Sequence, residues 1–405
     1  MRLIILIAIL LAFDGYAFLA LRAIAQSWAP YLRYIVYTLY WLVPVGLIAF
    51  ITGGTEGWPK DTVMIVRTLF FIIYISKMLV GAVLLIDDLR RLGVFVYNNV
   101  GVGGSYDPSR SKFMAQLGVF LGAIPFFSLL YGMWRNPYRY RLFQETVRLP
   151  NLPPELEGLR IVQISDIHSG SFLHKEPVRN AVDLINAQSP DLVFFTGDLV
   201  NNKASEAQPF IDVFDKIQAK HGIYSVLGNH DYGDYVRWGS TEEKHANMEL
   251  LKSIHQQLGW DLLLNEHRKV RIGGAEVAVI GVENYSTHPR FPKYGDLQRA
   301  AAGTDGAALK VLLSHDPSHW EGEILEKHKD IALTFSGHTH GMQFGVEIPG
   351  WVKWSPIKYV YKQWAGLYQR GTQYLYVNRG LGYLGYPGRV GILPEITLVE
   401  LQRLA

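Results

Sequence analysis

Residues 223–231 read IYSVLGNHD, a short apolar run that leads directly into a glycine and three polar residues. The run Ile223–Leu227 has the composition of a β-strand, and the change at Gly228 predicts the end of that strand. The glycine lets the backbone turn sharply before Asn229, His230 and Asp231. This arrangement predicts a functional loop at the carboxyl end of a buried strand.

The same pattern occurs four more times in the second half of the chain. The predicted strands are Leu159–Ile164, Asp191–Phe195, Lys310–Leu313 and Ile331–Phe335. The polar residues that follow them are Asp166 and His168, then Asp198, then His315 and Asp316, and finally His338 and His340. In a layered α/β domain the carboxyl ends of neighbouring strands open on one crevice. We therefore expect these side chains to meet in one pocket, where residues two apart, such as Asp166 and His168, point the same way along an extended chain.

Helix-like segments separate the predicted strands. They cover Glu176–Ala187, Ala207–Lys220 and Glu242–Leu258. Further strands are predicted at Lys269–Ile272, Glu276–Val282, Tyr374–Val377 and Glu395–Leu401. Alternation of strands and helices indicates a layered α/β architecture with mostly buried sheets.

The first third of the chain differs, because it contains four long apolar runs. They cover Leu3–Ala25, Tyr31–Ile51, Val63–Ile86 and Phe113–Trp134. A helix needs roughly 20 apolar residues to cross a hydrocarbon core of about 30 Å, so each run is long enough. We predict two domains, a transmembrane helical domain at residues 1–144 and a soluble domain at residues 145–405.

The first apolar run has an alternative interpretation. Arg2, the apolar stretch after it and the small residues Ala23 and Ala25 are also typical of a cleavable secretory signal. Asp14 and Arg22 interrupt the run, and three more apolar runs follow, which favours a retained first helix. Summed over all loops and termini, Lys and Arg are balanced between the two sides of a four-span arrangement, so their total number gives no orientation and both topologies stay open.

Composition narrows the possible chemistry. The chain has no cysteine, which excludes a disulfide scaffold, a thiolate nucleophile and cysteine-ligated metal sites. The net charge of +3 hides a balance of +7 in residues 1–144 and −4 in the remainder. The negative balance of the soluble part argues against nucleic acid as a partner.

The predicted pocket offers oxygen and imidazole donors without sulfur. Such donors suit borderline divalent metals, namely Mn, Fe, Co, Ni or Zn, and the sequence does not select among them. The motifs supply enough ligand positions for two ions if one carboxylate bridges them. Two ions about 3.5–4 Å apart can clamp a phosphoryl group and lower the pKa of a bridging water, which then attacks phosphorus.

Taken in order, Asp-x-His, Gly-Asp, Gly-Asn-His-Asp, a single His and Gly-His-x-His resemble the calcineurin-like metallophosphoesterases. The resemblance covers roughly residues 158–401, and the order of the five blocks makes it specific. GHTHGMQ at 337–343 and NRGLG at 378–382 are similar to the small bacterial phosphodiesterase branch, part of which acts on lipid-linked substrates. The resemblance implies an αββα sandwich of two mixed sheets, here preceded by about four transmembrane helices, and a hydrolase acting on phosphoric ester bonds.

The resemblance also implies roles for individual residues. One metal would be held by Asp166, His168, Asp198 and His340, and the second by Asp198, Asn229, His315 and His338, with Asp198 bridging. His230 would donate a proton to the leaving oxygen. The family often has a second Asp three residues after the bridging one, which orients this histidine, but Asn201 stands there. We therefore expect another partner for His230, with Asp231 as the candidate, or weaker proton donation.

The sequence leaves two interpretations open for Arg379 and two for the aromatic segment at residues 350–368. Arg379 lies in a glycine-rich stretch and is suited either to binding substrate phosphate or to a structural salt bridge. Residues 350–368 interleave Trp and Tyr with lysines. That pattern is typical of core packing and also of a surface that dips into lipid headgroups.

Together these features predict a multi-pass cell-membrane phosphohydrolase. It would cleave a phosphodiester or pyrophosphate, in a lipid or lipid-linked substrate, by attack of a metal-activated hydroxide. The expected partners are the bilayer and a phosphorylated small molecule or lipid. Arg135, Arg139 and Arg141 follow the last apolar run and favour the cytoplasmic face for the catalytic domain. The alternative is a membrane sensor or scaffold that binds a phosphorylated ligand without turnover.

Overall fold

The computed structural model describes residues 2–99, 108–348 and 350–404. The chain divides into two compact units, Met1–Tyr131 and Gly132–Ala405. The predicted boundary between residues 144 and 145 therefore falls inside the second unit. The reason is a strand at Arg141–Leu149, which pairs in parallel with Glu395–Arg403 along its whole length and so ties this stretch to the soluble domain.

The first unit is built from four long helices. They are α1 Arg2–Ala25, α2 Pro30–Gly53, α3 Lys60–Asn99 and α4 Pro108–Arg135, the last of which ends in the second unit. All four are long and apolar enough to cross a membrane, which confirms the predicted number of spans. The 40 residues of α3 extend about 60 Å, roughly twice the hydrocarbon thickness, so part of α3 must lie outside the hydrocarbon.

A buried polar cluster joins three of these helices. Asp14 of α1 is fully buried and accepts hydrogen bonds from Lys77 at 2.5 Å and from Tyr74 at 2.7 Å, both in α3. Tyr40 of α2 donates to the Asp14 carbonyl at 2.7 Å. The charge that interrupts the first apolar run is therefore paired inside the helical unit, as a carboxylate at that depth requires.

The second unit contains fourteen strands in the part of the chain that the structure describes. In chain order they are β1 Arg141–Leu149, β2 Arg160–Ile164, β3 Leu192–Phe195, β4 Ile223–Ser225, β5 Asp261–Leu262, β6 Glu266–Ile272, β7 Ala275–Gly281, β8 Leu309–Leu313, β9 Leu333–Ser336, β10 Val346–Ile348, β11 Val352–Trp354, β12 Gly366–Arg370, β13 Gln373–Val377 and β14 Glu395–Arg403. One sheet has the order β1-β14-β2-β3-β4-β5 and the other β12-β13-β9-β8-β7-β6, while β10 and β11 form a separate hairpin. Both large sheets are mixed, with β2 through β5 parallel in the first and β13, β9, β8 and β7 parallel in the second.

Shorter helices cover the outer faces of the sheets. They are α5 Lys175–Asn186, α6 Ile211–Phe214, α7 Thr241–Gln257, α8 Leu297–Ala301 and α9 Leu325–Lys327. The predicted helix at Ala207–Lys220 is wrong in length, because the chain there forms one 3₁₀ turn at Gln208–Phe210 and the four-residue α6 before it returns to the sheet at β4.

Alternating side chains divide the domain into layers. Ile161 of β2 packs with Phe335 of β9 in the core between the two sheets. Its neighbour Val162 points the opposite way and packs with Val178 of α5, as the two-residue period of a strand requires. The second sheet is covered on its outer face by α8 through Leu297. The layers are helix, sheet, sheet and helix, which confirms the predicted αββα sandwich.

Candidate metal centre

The loops after β2, β3, β4, β8 and β9 converge on one buried cluster. They carry the seven residues predicted to bind metal, namely Asp166, His168, Asp198, Asn229, His315, His338 and His340. All but His338 are less than a tenth exposed, and the imidazole of His338 is also nearly covered. The structure thus brings together side chains that lie up to 174 positions apart in the chain.

Three residues form the first half of the cluster. The donor atoms of Asp166, His168 and His340 all lie within 4.8 Å of one another. The Nε2 atoms of His168 and His340 are 3.0 Å apart, and His340 Nε2 is 3.2 Å from Asp166 Oδ1. One carboxylate oxygen and two ring nitrogens therefore face a common point.

Asp198 connects this half to the second half. Its Oδ2 atom lies 3.5 Å from His168 Nε2 and 3.2 Å from His315 Nε2. On the far side, His338 Nδ1 lies 2.7 Å from Asn229 Oδ1 and 3.3 Å from His315 Nε2. The position of Asp198 between the two groups of donors is what a bridging ligand requires.

The backbone that presents these side chains is strained. Asp166, His168, Asp198, His338 and His340 all have φ between 47° and 70°, a region that residues other than glycine rarely adopt. Such strain persists where the surrounding structure holds it, and it concentrates at functional sites. Asp166 and His168 therefore converge through left-handed turns, and the extended-chain geometry expected from their spacing is wrong.

Two glycines allow the loops to approach this closely. A Cβ atom at Gly228 would overlap the Asp198 carboxylate, and one at Gly337 would overlap the side chains of Ser165 and Asp166. These positions explain why glycine precedes Asn229 and His338.

Burial and charge act against each other on the cluster's titrating groups. Burial lowers the pKa of His168 to about 3, so this ring is neutral and has a free lone pair. Burial would also lower the pKa of His315, but the nearby Asp198 carboxylate outweighs it and raises that pKa to about 10. The pKa of Asp198 is correspondingly held well below its usual value, against the effect of burial, by His315 and His230.

The donor set fits divalent cations. His315 Nδ1 contacts the Thr196 carbonyl at 2.6 Å, which leaves Nε2, the ring nitrogen that faces Asp198, to ligate a cation. Imidazole and carboxylate donors without sulfur suit the borderline divalent metals. No described residue of the predicted set is missing from the cluster.

His230 is oriented by a group that the sequence analysis did not anticipate. Its Nδ1 atom donates a hydrogen bond to the backbone carbonyl of Asn201 at 2.7 Å. Asp231, the partner expected from the sequence, instead accepts backbone N–H groups of Gly228 and Asp198 at 2.9 and 2.8 Å. The expectation for Asp231 is therefore wrong, because its carboxylate is used to hold the loops that carry the metal ligands.

Two residues that the sequence analysis did not assign hold His338 in place. Its Nε2 atom lies 2.9 Å from the Tyr361 hydroxyl and 3.6 Å from Asp316 Oδ2, and Tyr361 donates to Asp316 at 3.2 Å. Carboxylate and hydroxyl groups behind a ligating histidine fix its tautomer and ring orientation. Asp316 could have been identified from the sequence, because it directly follows His315 in the polar residues after a predicted strand.

A cleft of about 400 Å³ opens onto the cluster. Its lining includes Asp198, Asn229, His230, His338 and His340 from the polar blocks of the sequence pattern, and its other lining residues are His288, Arg290, Phe291, Thr339, Ile357, Val360, Tyr361 and Leu384. The cleft therefore combines residues of the ligand cluster with apolar side chains.

The structure does not bring Arg379 to this cleft. Its side chain is buried and forms ion pairs with Glu395 at 2.6 Å and with Glu347 at 2.5 Å. These contacts favour the structural salt bridge of the two interpretations that the sequence left open.

The aromatic segment at residues 350–368 divides between core and surface. Tyr361 and Trp364 are buried, whereas Trp351 is 80% exposed and Tyr359 is 75% exposed. Val360, beside Tyr359, is also exposed and lines the cleft. Core packing therefore applies to Tyr361 and Trp364, and for the exposed Trp351 and Tyr359 the headgroup interpretation stays a prediction.

Comparison with known proteins agrees with this geometry. Residues 1–137 match the family described as "Probable Calcineurin-like phosphoesterase, transmembrane domain", and residues 159–342 match "Calcineurin-like phosphoesterase". The chain belongs to the calcineurin-like phosphoesterases. It is thus a metal-dependent phosphoester hydrolase with a transmembrane domain, and the first helix lies within the matched transmembrane region.

Individual relatives carry the same domain. The chain is 28% identical to the Bacillus subtilis metallophosphoesterase YkuE over 67% of this chain and 89% of that protein. It is 30% identical to the Danio rerio transmembrane protein with metallophosphoesterase domain over 68% of this chain, but the match spans only 60% of that protein. Among solved structures, Thermus thermophilus sulfate thiohydrolase SoxB aligns with a TM-score of 0.36 at 15% identity, over 62% of this chain and 57% of that one.

Proposed function

We propose that this membrane protein hydrolyses a phosphodiester or pyrophosphate bond in a lipid or lipid-linked substrate and uses two divalent cations. The supporting observation is the mixed lining of the cleft. It combines the clustered ligands with apolar side chains from Phe291, Ile357, Val360 and Leu384. A phosphate next to a hydrocarbon group matches both kinds of lining residue.

The ligand cluster divides naturally between two cations. Asp166, His168 and His340 would hold one, Asn229, His315 and His338 would hold the other, and Asp198 would bridge them. Cations bound there would supply Lewis-acid polarisation of the phosphoryl oxygens and a more acidic water.

His230 is the group placed to move a proton. Its Nδ1–H is committed to the Asn201 carbonyl, so Nε2 is the ring atom left to deliver a proton to the leaving oxygen. The ring lines the cleft and lies edge-on to His168, with ring centroids 5.0 Å apart. A histidine positioned in this way acts as a general acid.

A lipid substrate is supported by exposed apolar residues in the segment that contributes to the cleft. Trp351, Tyr359 and Val360 are exposed, and Val360 also lines the cleft. The chain also carries four membrane-spanning helices, so a source of amphiphilic substrates is always adjacent to the protein.

The function can be tested with the full-length protein in detergent. After removal of metals with a chelator, we expect no hydrolysis of bis-p-nitrophenyl phosphate, and addition of Mn²⁺ should restore it. A bacterial lipid extract incubated with the Mn²⁺-loaded protein should show, by mass spectrometry, a lipid that is consumed only when Asp198 is intact. Absence of turnover on both kinds of substrate, with Mn²⁺ or the other divalent metals present, would refute the proposal.

For location, we propose the cell membrane with the catalytic domain on the cytoplasmic side, supported by Arg135 at the end of α4 and by Arg139 and Arg141 just after it. The chain has no cysteine, so a single introduced cysteine would be the one thiol that a maleimide can label, and its labelling would report on which side of the membrane that residue lies. Glu326→Cys lies at an exposed position of the catalytic domain. In intact cells it should resist a membrane-impermeant maleimide and react after lysis, and labelling in intact cells would reverse the orientation.

A further inference from the structure

Arg290 gives the cleft a positive charge that the metal ligands do not account for. It lies in the loop between β7 and α8, and it is the one Lys or Arg among the described residues that line the cleft. Every other lining group with a charge belongs to the ligand cluster or is a histidine. The metal-ligand motifs contain no arginine, so this residue was not a candidate from the sequence.

The guanidinium is left without a carboxylate partner within the part of the chain that the structure describes. By contrast, the buried Arg379 pairs with two glutamates, Glu395 and Glu347. The Arg290 guanidinium instead lies near the ring of Phe291, with its Cζ atom 5.9 Å from the ring centroid. An unpaired guanidinium on the wall of a phosphate-binding cleft is suited to a bidentate contact with a phosphate.

The loop is held close to the metal ligands. The ring of Phe291 packs edge-on against His338 with centroids 4.6 Å apart, and His288 packs against Tyr361 with centroids 4.7 Å apart. These two contacts lie on either side of Arg290 in sequence. They hold the loop beside the ligand cluster, and Arg290 lines the same cleft as His338 and His340.

Charge balance indicates which phosphate Arg290 meets. Two divalent cations, the carboxylates of Asp166 and Asp198 and the attacking hydroxide of the proposed reaction would leave a net charge of about +1, which the single negative charge of the scissile phosphate balances. A phosphodiester carries one negative charge, and it needs no further cation. A pyrophosphate carries a second anionic phosphate one bridging oxygen away, and that group does need one.

We propose that Arg290 forms a subsite for a second phosphate, so that the preferred substrate is an amphiphilic pyrophosphate diester. This proposal rests on the proposed function. The oxygen of a water molecule would form a new bond to one phosphorus, while the bond between that phosphorus and the bridging oxygen breaks. The products would be two phosphomonoesters and the proton released from the water. The apolar lining residues Ile357 and Leu384 would contact the first part of a hydrocarbon chain of the substrate.

The test compares two substrates on the full-length protein in detergent with saturating Mn²⁺. One is a didecyl pyrophosphate and the other is the didecyl phosphodiester, with products measured by mass spectrometry. We expect Arg290→Gln to lower kcat/KM for the pyrophosphate about 10- to 100-fold, the usual effect of losing a charge-assisted hydrogen bond, and to change the phosphodiester less than about threefold. The matched control is Lys293→Gln, which removes the same charge from an exposed residue of the same loop that does not line the cleft.

Binding separates this inference from the hydrolysis on which it rests. The probe is the didecyl methylenebisphosphonate, in which CH₂ replaces the bridging oxygen, measured by calorimetry with the same variants. Binding weakened by Arg290→Gln and unaffected by Lys293→Gln supports the subsite, even if the wild-type protein hydrolyses neither substrate and the proposed function fails. Equal losses on both substrates, or binding that does not depend on Arg290, would overturn the subsite.

Discussion

The contact between His230 and a backbone carbonyl leads to a prediction about two neighbouring positions. His230→Ala removes the proton donor, whereas Asn201→Ala leaves the carbonyl that orients His230 in place. We therefore expect a large loss of rate from the first substitution and almost none from the second. If the orienting group were a side chain at position 201, the two variants would be similarly impaired.

The magnitudes follow from the geometry. Loss of general-acid catalysis costs roughly 10²- to 10⁴-fold in rate, or about 2.7–5.4 kcal/mol of activation free energy. The Asn201 side chain donates to Ser171 Oγ at 2.9 Å, so its removal should cost about 1 kcal/mol of stability. Its effect on kcat should stay below about threefold.

The assay uses a leaving-group series of p-nitrophenyl and alkyl phosphodiesters, with metal content measured on the same samples. His230→Ala should keep its metal and lose most rate on the alkyl diester, because the poor alkoxide leaving group depends on a proton and p-nitrophenolate does not. Asn201→Ala should match the wild-type protein on both. An Asn201→Ala variant as slow as His230→Ala, with metal content and thermal stability intact, would refute this reasoning.

Three further substitutions test the support around the metal centre. Asp316→Asn should loosen His338 and lower metal affinity or activity about 10- to 100-fold, which a Mn²⁺ titration of activity would measure. Glu395→Gln should leave the buried Arg379 with one charged partner, Glu347, instead of two and cost about 1.5–3 kcal/mol of stability, seen as a lower thermal midpoint with little change in kcat of the folded protein. Gly228→Ala should push its new methyl group into the bridging carboxylate and cost about 1–3 kcal/mol, with metal content falling more than helical content in circular dichroism.

Much of the fold follows from local signals in the sequence. The strands that carry the site are continuous apolar runs that end in polar blocks, so β2, β3, β8 and β9 were placed within two residues at most of their ends. The four spans were also predictable, since their length and apolarity exceed what a soluble core helix needs. In both cases burial imposes the sequence pattern directly.

The missed elements depend on partners distant in sequence. β1 contains Arg141, Glu145 and Arg148 along nine residues, and it is a strand because β14 pairs with it from the other end of the domain. β5 has only two residues, Asp261 and Leu262, beside β4. Neither strand has enough apolar pattern of its own to be distinguished from a connection.

The candidate metal centre also divides into features with a local sequence signal and features that depend on distant parts of the chain. Its ligand side chains were predictable because their motifs are local, but their support was not. The Asn201 carbonyl is a main-chain group, which no residue type can signal, and Tyr361 reaches His338 from a segment that sequence alone assigned to either core or surface. Arg290 carries no motif, so only the position of its loop beside the cleft identifies it.

Metal content tests the central claim most directly. The full-length protein, loaded with Mn²⁺ and freed of excess metal, should contain about two ions per chain by inductively coupled plasma mass spectrometry, and Asp198→Ala should contain less than one. A wild-type protein that retains no divalent ion under these conditions, or an Asp198→Ala variant that still holds two, would contradict the assignment of this cluster as a bridged pair of metal sites.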